Sequence, residues 1–152
     1  LICTNTMHKL ADQVADAINI PLLHIADATA ATILSAGSSK IGLLGTRFTM
    51  EEDFYRGRLE KHHDLEVLIP GADDRRLVHD VIYDELCLGT IREESRLAYT
   101  RIIDRLVSQG AQGVILGCTE ISLLVKPEHA TCPLFDTTRI HAIRAVDRAL
   151  TD

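Results

Sequence analysis

Gly113-Val114-Ile115-Leu116-Gly117-Cys118-Thr119-Glu120 and Ile41-Gly42-Leu43-Leu44-Gly45-Thr46 are the two stretches that decide the fold. Each opens on an apolar run with no polar alternation, the pattern of a strand buried on both faces. Each closes on a glycine followed by a hydroxyl or thiol side chain. Working outward, helical spacing surrounds them. Leu77, Val78, Val81, Ile82 and Leu86 fall on one helical face that Asp73 or Asp74 can cap and Gly89 ends. Tyr99, Ile102, Ile103, Leu106 and Val107 form another, starting near Arg92 and ended by Gly110. Further helices are expected from Met7 to Ile18, from a cap at Asp27 to about Ala36, from Met50 to His62, and along Ile140, Ile143, Val146 and Leu150. Short strands are expected at Leu22–Ile25, Leu65–Ile69 and Leu134–Phe135. Strands separated by helices of this length imply parallel βαβ units, hence an α/β protein with helices on both faces of its sheet.

The composition agrees and excludes several classes. The chain has 152 residues, 46% of them hydrophobic and 25% charged, which is globular and neither disordered nor fibrous. Its apolar runs reach only about five residues against the ~20 a membrane helix needs. Acidic residues number 22 and basic ones 16, a net charge of -6 that argues against nucleic acid or an anionic membrane as partner. Four cysteines without a CxxC pair do not make a disulfide scaffold and suit a reducing cytoplasm. The seven histidines lack metal-ligand spacing, so no metal is expected. Neither GxGxxG nor GxxxxGK[ST] occurs, so no nucleotide cofactor is expected either.

In open α/β sheets ligands sit beyond the carboxyl ends of the strands. Two such ends look alike. Ile2-Cys3-Thr4-Asn5-Thr6 leads into a helix, and Pro21-Leu22-Leu23 follows it. Gly117-Cys118-Thr119-Glu120 does the same, and Pro133-Leu134-Phe135 follows. Two α/β halves facing across a cleft would set the two thiols on opposite sides of one ligand. A cysteine at a helix start has its thiolate favoured. Opposed thiol and thiolate suit a proton transfer in which one group removes a proton from a carbon and the other returns one to the opposite face. That is racemisation or epimerisation without a cofactor. Cys87 and Cys132 read as structural thiols. His8 reads as a hydrogen-bonded helix histidine. Asp84 and Glu85 read as a solvated acidic face.

Cys3-Thr4-Asn5-Thr6-Met7-His8, Gly42-Leu43-Leu44-Gly45-Thr46, Phe54-Tyr55-Arg56-Gly57-Arg58-Leu59, Ile82-Tyr83-Asp84-Glu85-Leu86 and Gly117-Cys118-Thr119-Glu120 together resemble the aspartate/glutamate racemases, which are independent of pyridoxal phosphate. The resemblance implies two pseudo-symmetric Rossmann-like domains with parallel sheets. Residues 28–134 would form the second, and residues 1–27 with 135–152 the remainder of the first, whose N-terminal segment is expected to lie outside this chain. It implies an isomerase interconverting L- and D-aspartate or glutamate, or a broader set of amino acids. Cys3 and Cys118 would be its catalytic acid/base pair, and Thr4, Asn5, Thr6, Thr46 and Thr119 would bind the substrate carboxylate. It also implies a cytoplasmic homodimer. The other readings are a dicarboxylic-acid isomerase or decarboxylase on the same scaffold, and a non-catalytic truncated domain.

Overall fold

The computed structural model describes residues 1–151. The two glycine-ended apolar runs form the centre of one sheet. Strand β1 (Lys40–Gly45) lies between β2 (Glu66–Leu68) and β3 (Val114–Gly117), and β4 (Leu134–Asp136) borders β3. All pairs are parallel, in the order β2-β1-β3-β4. Ile41, Leu43, Leu44, Val114 and Ile115 are fully buried, as strands covered on both faces require.

Helices α1 (Ala11–Ala17), α2 (Ile25–Ser35), α3 (Arg47–Glu51), α4 (Asp53–His63), α5 (Ala72–Asp84), α6 (Glu93–Ser108), α7 (Ile121–Leu124) and α8 (Thr137–Thr151) fill the connections. The expected periodicities hold in α5 and α6, whose inward residues Val78, Ile82, Tyr99, Ile102, Ile103 and Leu106 join the core. The single helix expected over Met50–His62 is two. The chain extends at Glu52 (φ -83°, ψ 152°), which separates α3 from α4.

The strand expected at Leu22–Ile25 is absent. The His24 ring accepts the Ala26 N–H through Nδ1 at 3.1 Å and caps α2, so the helix starts at Ile25. The Leu23 carbonyl is bonded by His141 Nε2 at 2.9 Å instead of by a ladder N–H. Asp27, expected as the cap, is held by Arg58 through two bonds of 2.7 Å and by His63 at 2.8 Å. Burial alone would raise the Asp27 carboxyl, but these hydrogen bonds prevail and lower it to about 2. The positions 27/28 lie within α2 and 134/135 within β4.

Chain order and space order diverge between β1 and β3. The chain leaves β1 toward β2 and then returns to the other side of β1. Such a switch point opens a crevice beyond the carboxyl ends of the two strands. The crevice floor is set by a close approach. Gly45 pairs with Gly117, and a Cβ on Gly117 would lie 2.8 Å from the Leu44 carbonyl oxygen. A side chain at either position would push the central strands apart where they end.

Three buried imidazoles tie the N-terminal segment to this body. His8 lies 4.5 Å from His24 and 5.7 Å from His141, ring centre to ring centre. Burial, the Arg58 guanidinium and His8 hold His24 neutral, lowering its pKa to about 3. The unfolded chain therefore binds a proton at His24 that the folded chain refuses. This stability is complete above pH 6.5 and is lost as pH falls from there toward 3. The loss from His24 alone reaches about 2 kcal/mol at pH 5. Thermal unfolding monitored between pH 7 and pH 4.5 is expected to show the midpoint dropping. His24→Asn keeps a capping side chain without a titrating one, and should flatten that slope.

Candidate active site

The segment after Cys3 and the turns after β1 and β3 meet over the switch point. They enclose a cleft of about 390 Å³ lined by Cys3, Thr4, Asn5, Thr6, Thr46, Cys118 and Thr119. These are the seven residues singled out in the sequence, and all of them lie in this one cleft. Met7, Phe48, Ile82 and Tyr83 supply its apolar wall, and Cys87 and Glu120 complete it. A larger hollow of about 460 Å³ lies along β4 and the start of α8 and contains neither cysteine nor histidine. Among the described residues no three His, Cys, Asp or Glu side chains are grouped to hold a metal ion. No described helix is long and apolar enough to cross a membrane.

Thr46 enters the cleft because it caps α3, with its Oγ1 accepting the Thr49 N–H at 3.4 Å. The same hydroxyl lies 3.4 Å from Thr6 Oγ1 and 3.3 Å from Thr49 Oγ1, which makes a short chain of hydroxyls across the floor. Asn5 is almost wholly buried and donates through Nδ2 to Thr137 Oγ1 at 3.0 Å. His8 fixes the backbone of this wall. Its Nδ1 meets the Thr4 carbonyl at 2.7 Å and its Nε2 accepts the Ile25 N–H at 3.2 Å. A carbonyl can only accept and an amide N–H only donate, so this imidazole is neutral and carries its proton on Nδ1. Burial likewise lowers its pKa, against the pull of the Thr4 carbonyl.

The opposite wall is electrostatically distinct. Cys118 Sγ donates to Glu120 Oε2 at 2.9 Å, and Thr119 Oγ1 donates to the same oxygen at 2.5 Å. Burial pushes the Cys118 thiol up, the Glu120 carboxylate adds to it, and the result is a pKa of about 12. Glu120 shows the reverse. Burial would raise its carboxyl, but the hydrogen bonds from Cys118 and Thr119 outweigh that and lower it. Glu120 therefore stays ionised and Cys118 stays a thiol at neutral pH. The helix-start position of Cys118 does not make it a thiolate, because α7 has only four residues and the carboxylate is nearer.

Two side chains sit otherwise than the sequence suggested, one of them in the cleft. Cys87, expected as a structural thiol, is exposed in the cleft wall, with its pKa raised by partial burial and by Glu120. Glu85, expected on a solvated face, accepts the Ser95 hydroxyl at 2.6 Å and lies 3.9 Å from Arg92. Cys87 lies in a short 3-10 turn (Leu86–Leu88) after α5 ends at Asp84, so no helical spacing in the sequence announces its place in the cleft.

A parallel α/β fold with thiols and hydroxyls gathered at its switch point defines a class of small-molecule binding proteins. The particular family follows from sequence. The chain belongs to the Asp/Glu/Hydantoin racemase family, whose pattern matches residues 1–145. It is 59% identical to a protein of Yersinia pestis assigned to the Asp/Glu racemases, with a TM-score of 0.94 over 97% of this chain and 64% of that one. It is 36% identical to an aspartate racemase homologue from Pyrococcus horikoshii, with a TM-score of 0.86 over 96% of this chain and 64% of that one. An uncharacterised Pectobacterium carotovorum protein is 30% identical over 112 residues, 74% of this chain and 73% of its own length. The chain thus spans 64% of the length of each of these two solved relatives, less than two thirds.

Replacing the Glu120 carboxylate by an amide removes the charge that disfavours the Cys118 thiolate. Glu120→Gln is expected to bring thiolate formation down in pH by about one unit or more. The check is thiolate absorbance near 240 nm against pH, with Cys118→Ser identifying the signal. An unmoved titration would show that burial alone sets this thiol.

Proposed function

We propose that the cleft is the active site of an amino-acid racemase that needs no pyridoxal phosphate or other cofactor. It would interconvert the L- and D-forms of aspartate, glutamate or a broader set of amino acids. The observation that carries this reading is the convergence of Cys3 and Cys118 on one cleft whose floor is hydroxyl groups. The chain's family and its structural relatives support it.

In this mechanism one thiol is ionised and the other is not. Cys118 waits as the acid, held protonated by Glu120. Cys3 removes the α-proton as thiolate, and Cys118 delivers its own to the opposite face. The proton added and the proton removed balance, and the two sulfurs exchange states. The α-carboxylate gains enolate character as the proton leaves. Hydroxyls of Thr4, Thr6 and Thr46 donate to it there, which lowers the barrier because they are already in place; the Thr119 hydroxyl gives its proton to Glu120 and joins them only when that bond breaks. Asn5 completes the set of substrate contacts. Division into two α/β lobes, residues 28–134 and residues 1–27 with 135–152, belongs to the same proposal. So do homodimer formation and a cytoplasmic setting, the latter supported by four free cysteines.

Thr4 stands beside Cys3 on the same wall, and Cys3 is exposed where Thr4 is half-buried. The test therefore includes both. In D2O, the full-length protein is expected to exchange the α-proton of either enantiomer and to lose optical rotation. Cys118→Ser should slow racemisation by about 10²–10⁴-fold, the usual value of a positioned acid or base. Cys3→Ser should do the same. Near-normal racemisation by Cys118→Ser would overturn the two-base reading. Normal racemisation by Cys3→Ser with loss in Thr4→Val would move the second base from the thiol to the neighbouring hydroxyl.

A further inference from the structure

A second hollow, of about 210 Å³, lies outside the cleft between the start of α1 and α4. It shares no lining residue with the cleft, and His24, Arg58, Lys9, Lys61, Asp12 and Asp53 carry its polar groups. Only 5% of His24 is exposed. Its Nδ1 accepts the Ala26 N–H at 3.1 Å and the ring is neutral, so its proton sits on Nε2. That N–H has no hydrogen-bond partner among the described residues, yet it is not sealed off from solvent. His8 cannot answer it, because one of its nitrogens is bound to the Thr4 carbonyl and the other to the Ile25 N–H. Donors on side chains this buried are almost always bonded in folded proteins.

Arg58 brings a second set of donors. Its Nε and Nη2 fork the Asp27 carboxylate at 2.7 Å each. The end edge of the guanidinium, Nη1 with the remaining Nη2 hydrogen, has no partner among the described residues and has the shape to fork a second carboxylate. Arg58 is near enough to lower the His24 pKa, so one anion can reach both. Gly57 keeps the space open, since a Cβ there would collide with Asp53 Oδ1 and drive Asp53 from its place beside Lys61. Charge narrows the ligand. Arg58 is paired with Asp27 and Lys61 with Asp53, which leaves Lys9 against Asp12. The lining is rich in donors but nearly balanced in charge, which suits one negative charge and disfavours two. We propose that this hollow binds a carboxylate group, held by the His24 Nε2–H and the free edge of Arg58 with Lys9 as counter-charge. The carboxylate belongs to a small organic acid or to a free amino acid. In the second case Asp12 and Asp53 add acceptors for the ammonium group. The site stands apart from the racemase reading, since no cleft residue lines it. It adjoins the cleft through the His24 ring, which packs on His8, the holder of the Thr4 carbonyl.

The test titrates full-length protein at neutral pH with sodium acetate, glycine and inorganic phosphate, at constant ionic strength and against sodium chloride. The readouts are the His24 Nε2–H and Gly57 amide resonances in 1H–15N spectra. Acetate should shift both saturably, with half-saturation at about 1 mM, the scale of a few hydrogen bonds to a charged group. Glycine should shift them at lower concentration than acetate if an amino acid is the source, and at no lower concentration if a simple organic acid is. Phosphate should bind more weakly than acetate. Arg58→Lys keeps a charge for Asp27 but loses the second fork, and should weaken acetate about tenfold. His24→Ser keeps a capping oxygen and has no N–H to offer. Read at Gly57, it should weaken acetate as much. No saturable shift beyond that of chloride would leave water as the His24 partner and overturn the site. Shifts confined to cleft residues such as Thr46 overturn it as well, and so does unchanged acetate affinity in Arg58→Lys, which decides alone if His24→Ser does not fold. Phosphate binding tighter than acetate would overturn the choice of a carboxylate.

Discussion

The close parallel pairing of β1 with β3 is the constraint on which the rest depends. Gly45 and Gly117 face each other at the last rung, and neither strand could approach so closely there with a Cβ in the way. The pairing closes the core below, since Leu43, Leu44, Ile115 and Leu116 are all buried around it. It also sets the cleft above. Thr46 follows one glycine and Cys118 the other, so two reactive turns emerge side by side from a rigid floor. Functional side chains positioned by strand ends are placed more accurately than those on free loops.

The two walls of the cleft differ in how their protons are controlled. Cys118 is held as a thiol by burial and by Glu120, whereas Cys3 is exposed. In a two-base mechanism this difference has a bounded consequence. The two enantiomers have equal free energy, so the ratio of kcat to KM must be the same in both directions. Unequal thiols can therefore change kcat and KM separately but cannot change their ratio. A carboxylate beside Cys118 then acts as a resting-state bias. Under that proposal it would favour the protein form that accepts a proton at the Cys3 wall, without favouring one product at equilibrium.

What the sequence made legible follows the same physics. Apolar runs without alternation can hardly be anything but doubly buried strands, so β1 and β3 and the residues at their ends were readable. The helices with wide apolar faces, α5 and α6, were readable for the same reason. Side-chain capping was less so. Asp27 looks like a cap by residue type, but Arg58 and His63 lie 31 and 36 positions away in sequence, and they capture it. His24 takes the cap with its ring packed on that of His8, which no local pattern announces. Glu120 was visible as a residue, but its effect on Cys118 depends on a rotamer that brings one oxygen to both the thiol and the Thr119 hydroxyl.

The Cys3 wall is built differently from the Cys118 wall. No described strand ladder holds residues 1–5. Side chains do the work instead. Asn5 reaches Thr137 at the start of α8, Thr6 reaches Thr46 at the end of β1, and His8 bridges Thr4 and Ile25. His141 then ties α8 to Leu23. Each bond joins the segment to a different element, so its position is the joint outcome of β1, α2 and α8. The wall that carries Cys3 is thereby registered against the floor from three sides, and the neutral state of His8 is a condition of that registration. A protonated ring could no longer accept the Ile25 N–H. The position of the Cys3 wall thus depends on a buried imidazole that joins the Thr4 carbonyl to the start of α2.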